Sequence, residues 1–288
     1  MKKIVFGLLI LLATFRSFGQ QGYFIKSADQ TNIYIEEKGS GKPVILLAGG
    51  PGLNPNYIYP IYDKLSLSNR SIILHQRGTG KTVMPKIDSL SLSLDTYVED
   101  LEALRIHLKL NKLILIGQSW GGMLSMEYCS RYPEKVEKLV LLGSGSPSMN
   151  FLNYFSDNIL SRLFPEDLSG ESDLKSIWPG YFFDRSSGMA SKATTDFSKM
   201  GGQPGINNIM VNDYAAKEEK RISNLRNFKG QAFVIQGYQD PVGFAAYEIK
   251  SAIPQAQLLF VSQSGHFPWL EKESARKQFF EYLKNSLK

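Results

Sequence analysis

The chain has 288 residues, 43% of them hydrophobic and 21% charged, proportions of a globular protein long enough to bury one sizeable core. Its formal charge is +6, but Lys2, Lys3 and Arg16 supply half of it from the N-terminal end, and the remaining +3 is scattered, so nothing here points to nucleic acid as a partner. The single cysteine, Cys129, excludes an internal disulfide and reads as a buried, inert thiol.

In chain order, Lys2 and Lys3 precede an apolar run over 4–13 that ends near Ser17-Phe18-Gly19. That pattern predicts a secretory signal peptide over 1–19, too short for a membrane anchor once the chain is exported to the periplasm or the medium. No cysteine lies beside the cleavage site, so no lipid anchor is expected. Tyr23-Phe24-Ile25-Lys26 and Asn32-Ile33-Tyr34-Ile35-Glu36-Glu37 predict two strands, the second a half-exposed edge strand because apolar and polar residues alternate. Pro43-Val44-Ile45-Leu46-Leu47 is continuously apolar and predicts a strand covered on both faces. It runs into Ala48-Gly49-Gly50-Pro51-Gly52. Ser71-Ile72-Ile73-Leu74-His75 is the next strand, followed by Gln76-Arg77-Gly78-Thr79-Gly80.

Residues 96–110 predict an amphipathic helix with Val98, Leu101, Leu104 and Leu108 on one stripe. Leu113-Ile114-Leu115-Ile116 then leads into Gly117-Gln118-Ser119-Trp120-Gly121, with a helix expected over 123–132 and a stop at Pro133. A buried strand, Gly-x-Ser-x-Gly and a helix together make a nucleophile elbow, where the serine hydroxyl stands exposed on a strained bend. A strand over 136–142 follows. Between about 147 and 228 the Val/Ile runs disappear, and aromatic residues such as Phe151, Tyr154, Phe155, Trp178, Tyr181, Phe182 and Phe183 collect. This segment predicts a cap inserted between two parts of a core, 20–146 and 229–288, because strands resume at 231–237 and 257–261. Helices near 244–251 and over 271–287 close the chain. Alternating strands and helices imply a mostly parallel sheet with helices on both faces.

A serine nucleophile needs a base, and the base needs an orienting acid. Three histidines are present. His107 lies inside the 96–110 helix. His75 ends a strand, but precedes the serine. His266, in Ser264-Gly265-His266-Phe267 after the last strand, fits the chain order serine, acid, histidine. Asp240 follows the 231–237 strand and fits the acid, although aspartate before proline is also a common turn. The oxyanion hole is expected from the Trp120 N–H and from Gly50, since Pro51 has no N–H to give. Gly80-Lys81-Thr82 resembles the end of a phosphate loop, but His75 stands where its first glycine belongs. Gly143-Ser144-Gly145-Ser146 lacks the elbow spacing. No His, Cys and Asp/Glu cluster has metal-ligand spacing, so neither metal nor cofactor is expected.

With these residues the chain resembles the α/β-hydrolase superfamily and, within it, the proline iminopeptidase group. The likeness rests on Gly49-Gly50-Pro51-Gly52, Gln76-Arg77-Gly78-Thr79-Gly80, Gly117-Gln118-Ser119-Trp120-Gly121-Gly122 and Gly265-His266-Phe267-Pro268. It implies an α/β-hydrolase fold, a Ser119, Asp240 and His266 triad, and cap acids that receive a free amino terminus. Glu171, Asp184 and Asp213 are candidates for those acids, and Trp178, Tyr181 and Phe182 either enclose a small apolar residue or form the cap's own core. The chain departs from the group at three places. Ala48 replaces the usual histidine before the glycine-rich loop, His75 the usual aspartate before Gln-Arg-Gly, and Pro179 the glutamate expected after the cap tryptophan.

The expected function is an exported serine hydrolase releasing N-terminal residues from short peptides. The alternatives are a carboxylic ester or lactone hydrolase with the same triad, and a non-catalytic homologue that only binds ligand. Epoxide hydrolase or dehalogenase chemistry would want a carboxylate at position 119.

Overall fold

The computed structural model describes residues 20–168 and 173–288; the expected signal peptide and Glu171 lie outside the described residues. Eight strands form one sheet: β1 (Gln21–Lys26), β2 (Asn32–Lys38), β3 (Pro43–Leu47), β4 (Arg70–Leu74), β5 (Leu113–Gln118), β6 (Val136–Leu142), β7 (Gln231–Gly237) and β8 (Gln257–Val261). Their spatial order is β1-β2-β4-β3-β5-β6-β7-β8. The β1–β2 and β2–β4 pairs are antiparallel and all the others parallel. This is the α/β-hydrolase fold.

The two faces of the sheet divide the apolar runs by alternate residues. Ile45, Leu47, Leu113, Leu115, Leu139 and Leu141 pack on one side, under α2 (Leu94–His107) and α3 (Trp120–Arg131). Val44, Leu46, Ile114, Ile116, Val140 and Leu142 pack on the other, with α1 (Tyr59–Leu65) and the C-terminal helix. Both faces are covered, which is why these strands read as unbroken apolar runs. Each such side chain contributes about 1.5–3 kcal/mol by leaving water.

Three expectations about local structure need correction. β2 is not an edge strand. It lies between β1 and β4, and its Glu36 is buried because Tyr59 of α1 donates to the carboxylate at 2.8 Å. The edge is β1, where Phe24 is exposed. The elbow helix starts at Trp120, three residues earlier than expected. Gly121 and Gly122 fit inside it because a Cβ there would strike the Leu47 carbonyl and the Ser144 side chain. α2 likewise begins two residues early, on a Ser93 cap closed reciprocally by Thr96.

Between β6 and β7, the described residues of the 147–228 segment form no strand. They contain α4 (Leu152–Leu160), α5 (Leu174–Ile177), α6 (Arg185–Thr194), α7 (Ile206–Ala216) and α8 (Glu218–Leu225). The segment touches the loops at the C-terminal ends of the parallel strands. Asn54 N–H donates to the Met200 carbonyl, Gln203 N–H to Gly78, and His266 N–H to Tyr181. After β7 come α9 (Ala245–Ala252) and, after β8, α10 (Glu273–Ser286). No helix among the described residues is long and apolar enough to cross a membrane.

Candidate active site

Ser119 joins β5 to α3 with φ +52° and ψ −116°, a backbone conformation that ordinary residues rarely adopt. The bend survives because its surroundings leave no alternative. A Cβ on Gly117 would strike the Gly121 carbonyl, and one on Gly49 would sit 3.0 Å from Ser119 Cβ. The glycine-rich loop after β3 therefore lies directly against the serine. Trp120, the first residue of α3, has an N–H with no intrahelical partner. Its ring donates from Nε1 to Gln76 Oε1 at 2.9 Å, while Gln76 Nε2 donates to the Ala48 carbonyl at 2.8 Å. Gln76 thereby ties the glycine-rich loop to the elbow.

His266 and Asp240 come from the loops after β8 and β7. His266 Nδ1 lies 3.0 Å from both carboxylate oxygens of Asp240. The carboxylate also accepts from Gln236 Nε2 at 2.8 Å and the Val242 N–H at 2.9 Å, which fixes its plane. Both residues are buried. Since Nδ1 donates to a carboxylate, Nε2 carries the lone pair in the neutral ring. At 3.2 Å from Nε2 stands the side-chain nitrogen of Gln118, the residue before Ser119. Gly143, at φ +49°, gives this pair its room, because a Cβ there would lie 3.1 Å from Asp240 Oδ2 and 3.3 Å from His266 Nδ1. Ser119 Oγ makes no hydrogen bond among the described residues.

Several contributors have no signal in the sequence. Tyr57 accepts the Gly49 N–H at 2.5 Å and donates to Gln118 Oε1 at 2.6 Å; burial holds its phenol well above the ordinary range. With the Gly49 amide engaged, Gly50, at φ +119°, carries the next N–H of the loop. Glu271 accepts the N–H groups of Gly265 and Phe183, each at 2.8 Å, and of Asp184 at 3.4 Å. Its carboxyl is raised by burial, against the pull of those donors. It binds the His266 loop to the inserted segment.

The other two histidines, the cysteine and the cap candidates have structural places. His75 is buried beside β2, its Nε2 3.7 Å from Glu36 Oε1, and its Nδ1 accepts the Lys81 N–H. His107 packs against the Tyr23 ring. Cys129 is buried, and burial drives its thiol far above the ordinary range. Asp184 caps α6 and pairs with Lys272, while Asp213 accepts the Leu94 N–H and pairs with Lys217. Trp178 is fully buried and stacks on Phe267 with ring centroids 4.6 Å apart; Phe182 is buried beside it. Only Tyr181 also approaches the triad, its ring centroid 5.4 Å from that of His266. Among the described residues no three His, Cys, Asp or Glu side chains gather into a metal site.

The α/β-hydrolase fold family matches residues 42–174 of the chain. The proline iminopeptidase of Lactobacillus helveticus is 39% identical over 109 residues, 37% of each chain. That of Arabidopsis thaliana is 25% identical over 290 residues, 84% of this chain and 74% of that one. The alignment to the Lactobacillus relative thus spans little more than a third of its length. Among solved structures, a proline iminopeptidase-related protein from Thermus thermophilus has a TM-score of 0.71 at 20% identity, covering 93% of this chain and 97% of that one. An esterase from Exiguobacterium antarcticum has a TM-score of 0.67 at 22% identity, covering 93% and 100%. The chain has the α/β-hydrolase fold and is similar, over part of its length, to proline iminopeptidases.

Proposed function

We propose that the protein is an exported serine hydrolase working by acyl transfer, an aminopeptidase of the proline iminopeptidase type that acts on short peptides. One observation carries this reading: His266 donates Nδ1–H into the Asp240 carboxylate, and its Nε2 lone pair lies at the serine elbow. In the proposed cycle Ser119 Oγ attacks the scissile carbonyl and His266 Nε2 takes its proton. The Gly50 and Trp120 N–H groups receive the negative charge on the carbonyl oxygen. The C–N bond then breaks as His266 returns the proton to the leaving amine. Water, deprotonated by the same nitrogen, releases the acyl group from Ser119. Asp240 holds the ring and stabilises the imidazolium.

A second reading, carboxylic ester or lactone hydrolysis by the same residues, is favoured by the cap acids. Asp184 and Asp213 are engaged in capping and ion pairs, which leaves neither waiting for an ammonium. The test is turnover of prolyl and alanyl arylamides beside a short-chain nitrophenyl ester. Arylamide turnover that falls about 10⁴-fold or more in Ser119→Ala supports the aminopeptidase. Ester turnover alone supports the second reading, and inactivity on both sinks the enzyme assignment.

A further inference from the structure

Gln118 is 2% exposed and stands between the glycine-rich loop and His266. Its hydrogen bonds run in one direction. Gly49 N–H donates to Tyr57 Oη, so the tyrosine's single proton goes to Gln118 Oε1. That leaves the amide NH₂ facing His266 Nε2 at 3.2 Å, and His266 Nδ1–H facing Asp240. A backbone amide is thus linked through three side chains to a buried carboxylate, and each link fixes the orientation of the next. Protonating Nε2 would set two N–H donors against each other. Turning the Gln118 amide to relieve that would leave the Tyr57 proton without its acceptor. The chain of bonds therefore fixes which ring nitrogen faces the elbow and which tautomer the neutral ring adopts.

We infer that Gln118 is a positioning residue: keyed by Tyr57, its amide holds His266 with the proton on Nδ1 and the lone pair on Nε2, and yields that lone pair to the Ser119 hydroxyl during turnover. This rests on His266 being the proposed base. The other polar groups around the ring are Asp240 at Nδ1, Tyr181 across its face and Glu271 through Gly265. Beyond them lie Arg162 of the inserted segment, which feels the charges of Asp240 and Glu271, and Tyr154, which feels that of Asp240. None is altered by substitution at 118, so a change in titration reports on the amide.

The experiment is nitrogen NMR of histidine-labelled protein across pH, in a chain with only three histidines. Gln118→Met removes the donor at similar length, Gln118→Glu places a carboxylate there, and Tyr57→Phe removes the key. Removing a donor to the neutral form raises the titration midpoint, by about one pH unit for a single bond. The expected order of midpoints is wild type lowest, Gln118→Met and Tyr57→Phe higher, and Gln118→Glu highest. The acid limb of the pH–rate profile should follow the same order. One midpoint shared by all four proteins, with the His75 and His107 signals unchanged to certify folding, overturns the inference even if turnover has dropped. The NMR readout needs no substrate, so full activity in Ser119→Ala would count against the enzymatic reading alone.

Discussion

The sheet and the inserted segment are held in place by different physics. β3, β5 and β6 bury nearly every side chain, and helices cover both faces. In the insertion, α4 buries only Ile159 and α6 only Gly188. Those two helices add little to the core, whereas α7 and α8 send Ile206, Met210, Tyr214 and Leu225 into it, and polar anchors with one aromatic stack add to the hold on the segment. Arg221 on α8 is 1% exposed; it donates to Glu127 at 2.9 Å, to the Tyr214 carbonyl at 2.7 Å and to the Pro147 carbonyl at 2.9 Å. Trp178 stacks on Phe267, next to the proposed base, and Phe182 packs against the same ring at a tilt. The sheet is stabilised by area, the insertion by area and by position together.

That contrast can be broken most forcefully at Arg221. Arg221→Met strips the donor from two carbonyls and a buried ion pair and should cost about 3 kcal/mol in urea unfolding. A loss below about 1 kcal/mol would mean that apolar contacts suffice to hold the insertion. Gly265→Ala comes next. Its new Cβ would strike the Tyr181 carbonyl, an overpacking worth about 2 kcal/mol. Displacing the neighbouring His266 should lower kcat/KM about 100-fold, whereas full activity would show that the seam yields without moving the base. Asp184→Ala is the mildest, at about 1 kcal/mol for a lost helix cap. Lys272, with the Ser186 and Ser187 donors, holds the Asp184 carboxyl well below the usual range. Its contribution is therefore complete above the unfolded value of about 4 and disappears as pH falls through the lower folded value. The gap between variant and wild type should narrow from pH 7 toward pH 2, and a constant gap would assign the effect to packing.

The same contrast explains what could be read from the chain. Apolar runs such as Leu113-Ile114-Leu115-Ile116 mark their strands because burial on both faces leaves a compositional trace. The elbow was legible because its turn needs glycine on either side of the serine. Glu36 misled, since a glutamate in a strand reads as solvent-facing until Tyr59 is seen to cover it. In the insertion, α4 and α6 were illegible because they are weakly buried: short amphipathic turns leave no strong period. Asp240 and His266 could be selected by chain order, but Tyr57 and Glu271 could not. Their partners are backbone amides, and an amide leaves no mark on a sequence. Gln118 was visible only as the variable position of the Gly-x-Ser-x-Gly motif.

Glu271 has a consequence for how a substrate gets in. Its carboxylate grips Gly265 on the histidine loop and Phe183 on the insertion at equal distance, and His266 N–H is itself bound to Tyr181. Lifting the insertion along that seam would drag the imidazole off its aspartate, so admission and catalysis would be mutually exclusive there. The opposite rim is latched by Asn54, whose side chain spans the Lys199 and Gly201 carbonyls. Backbone bonds from Asn54 N–H to Met200, Gly202 N–H to Gly52 and Gln203 N–H to Gly78 reinforce that latch, so the insertion is tied to the glycine-rich loop as well as to the histidine loop.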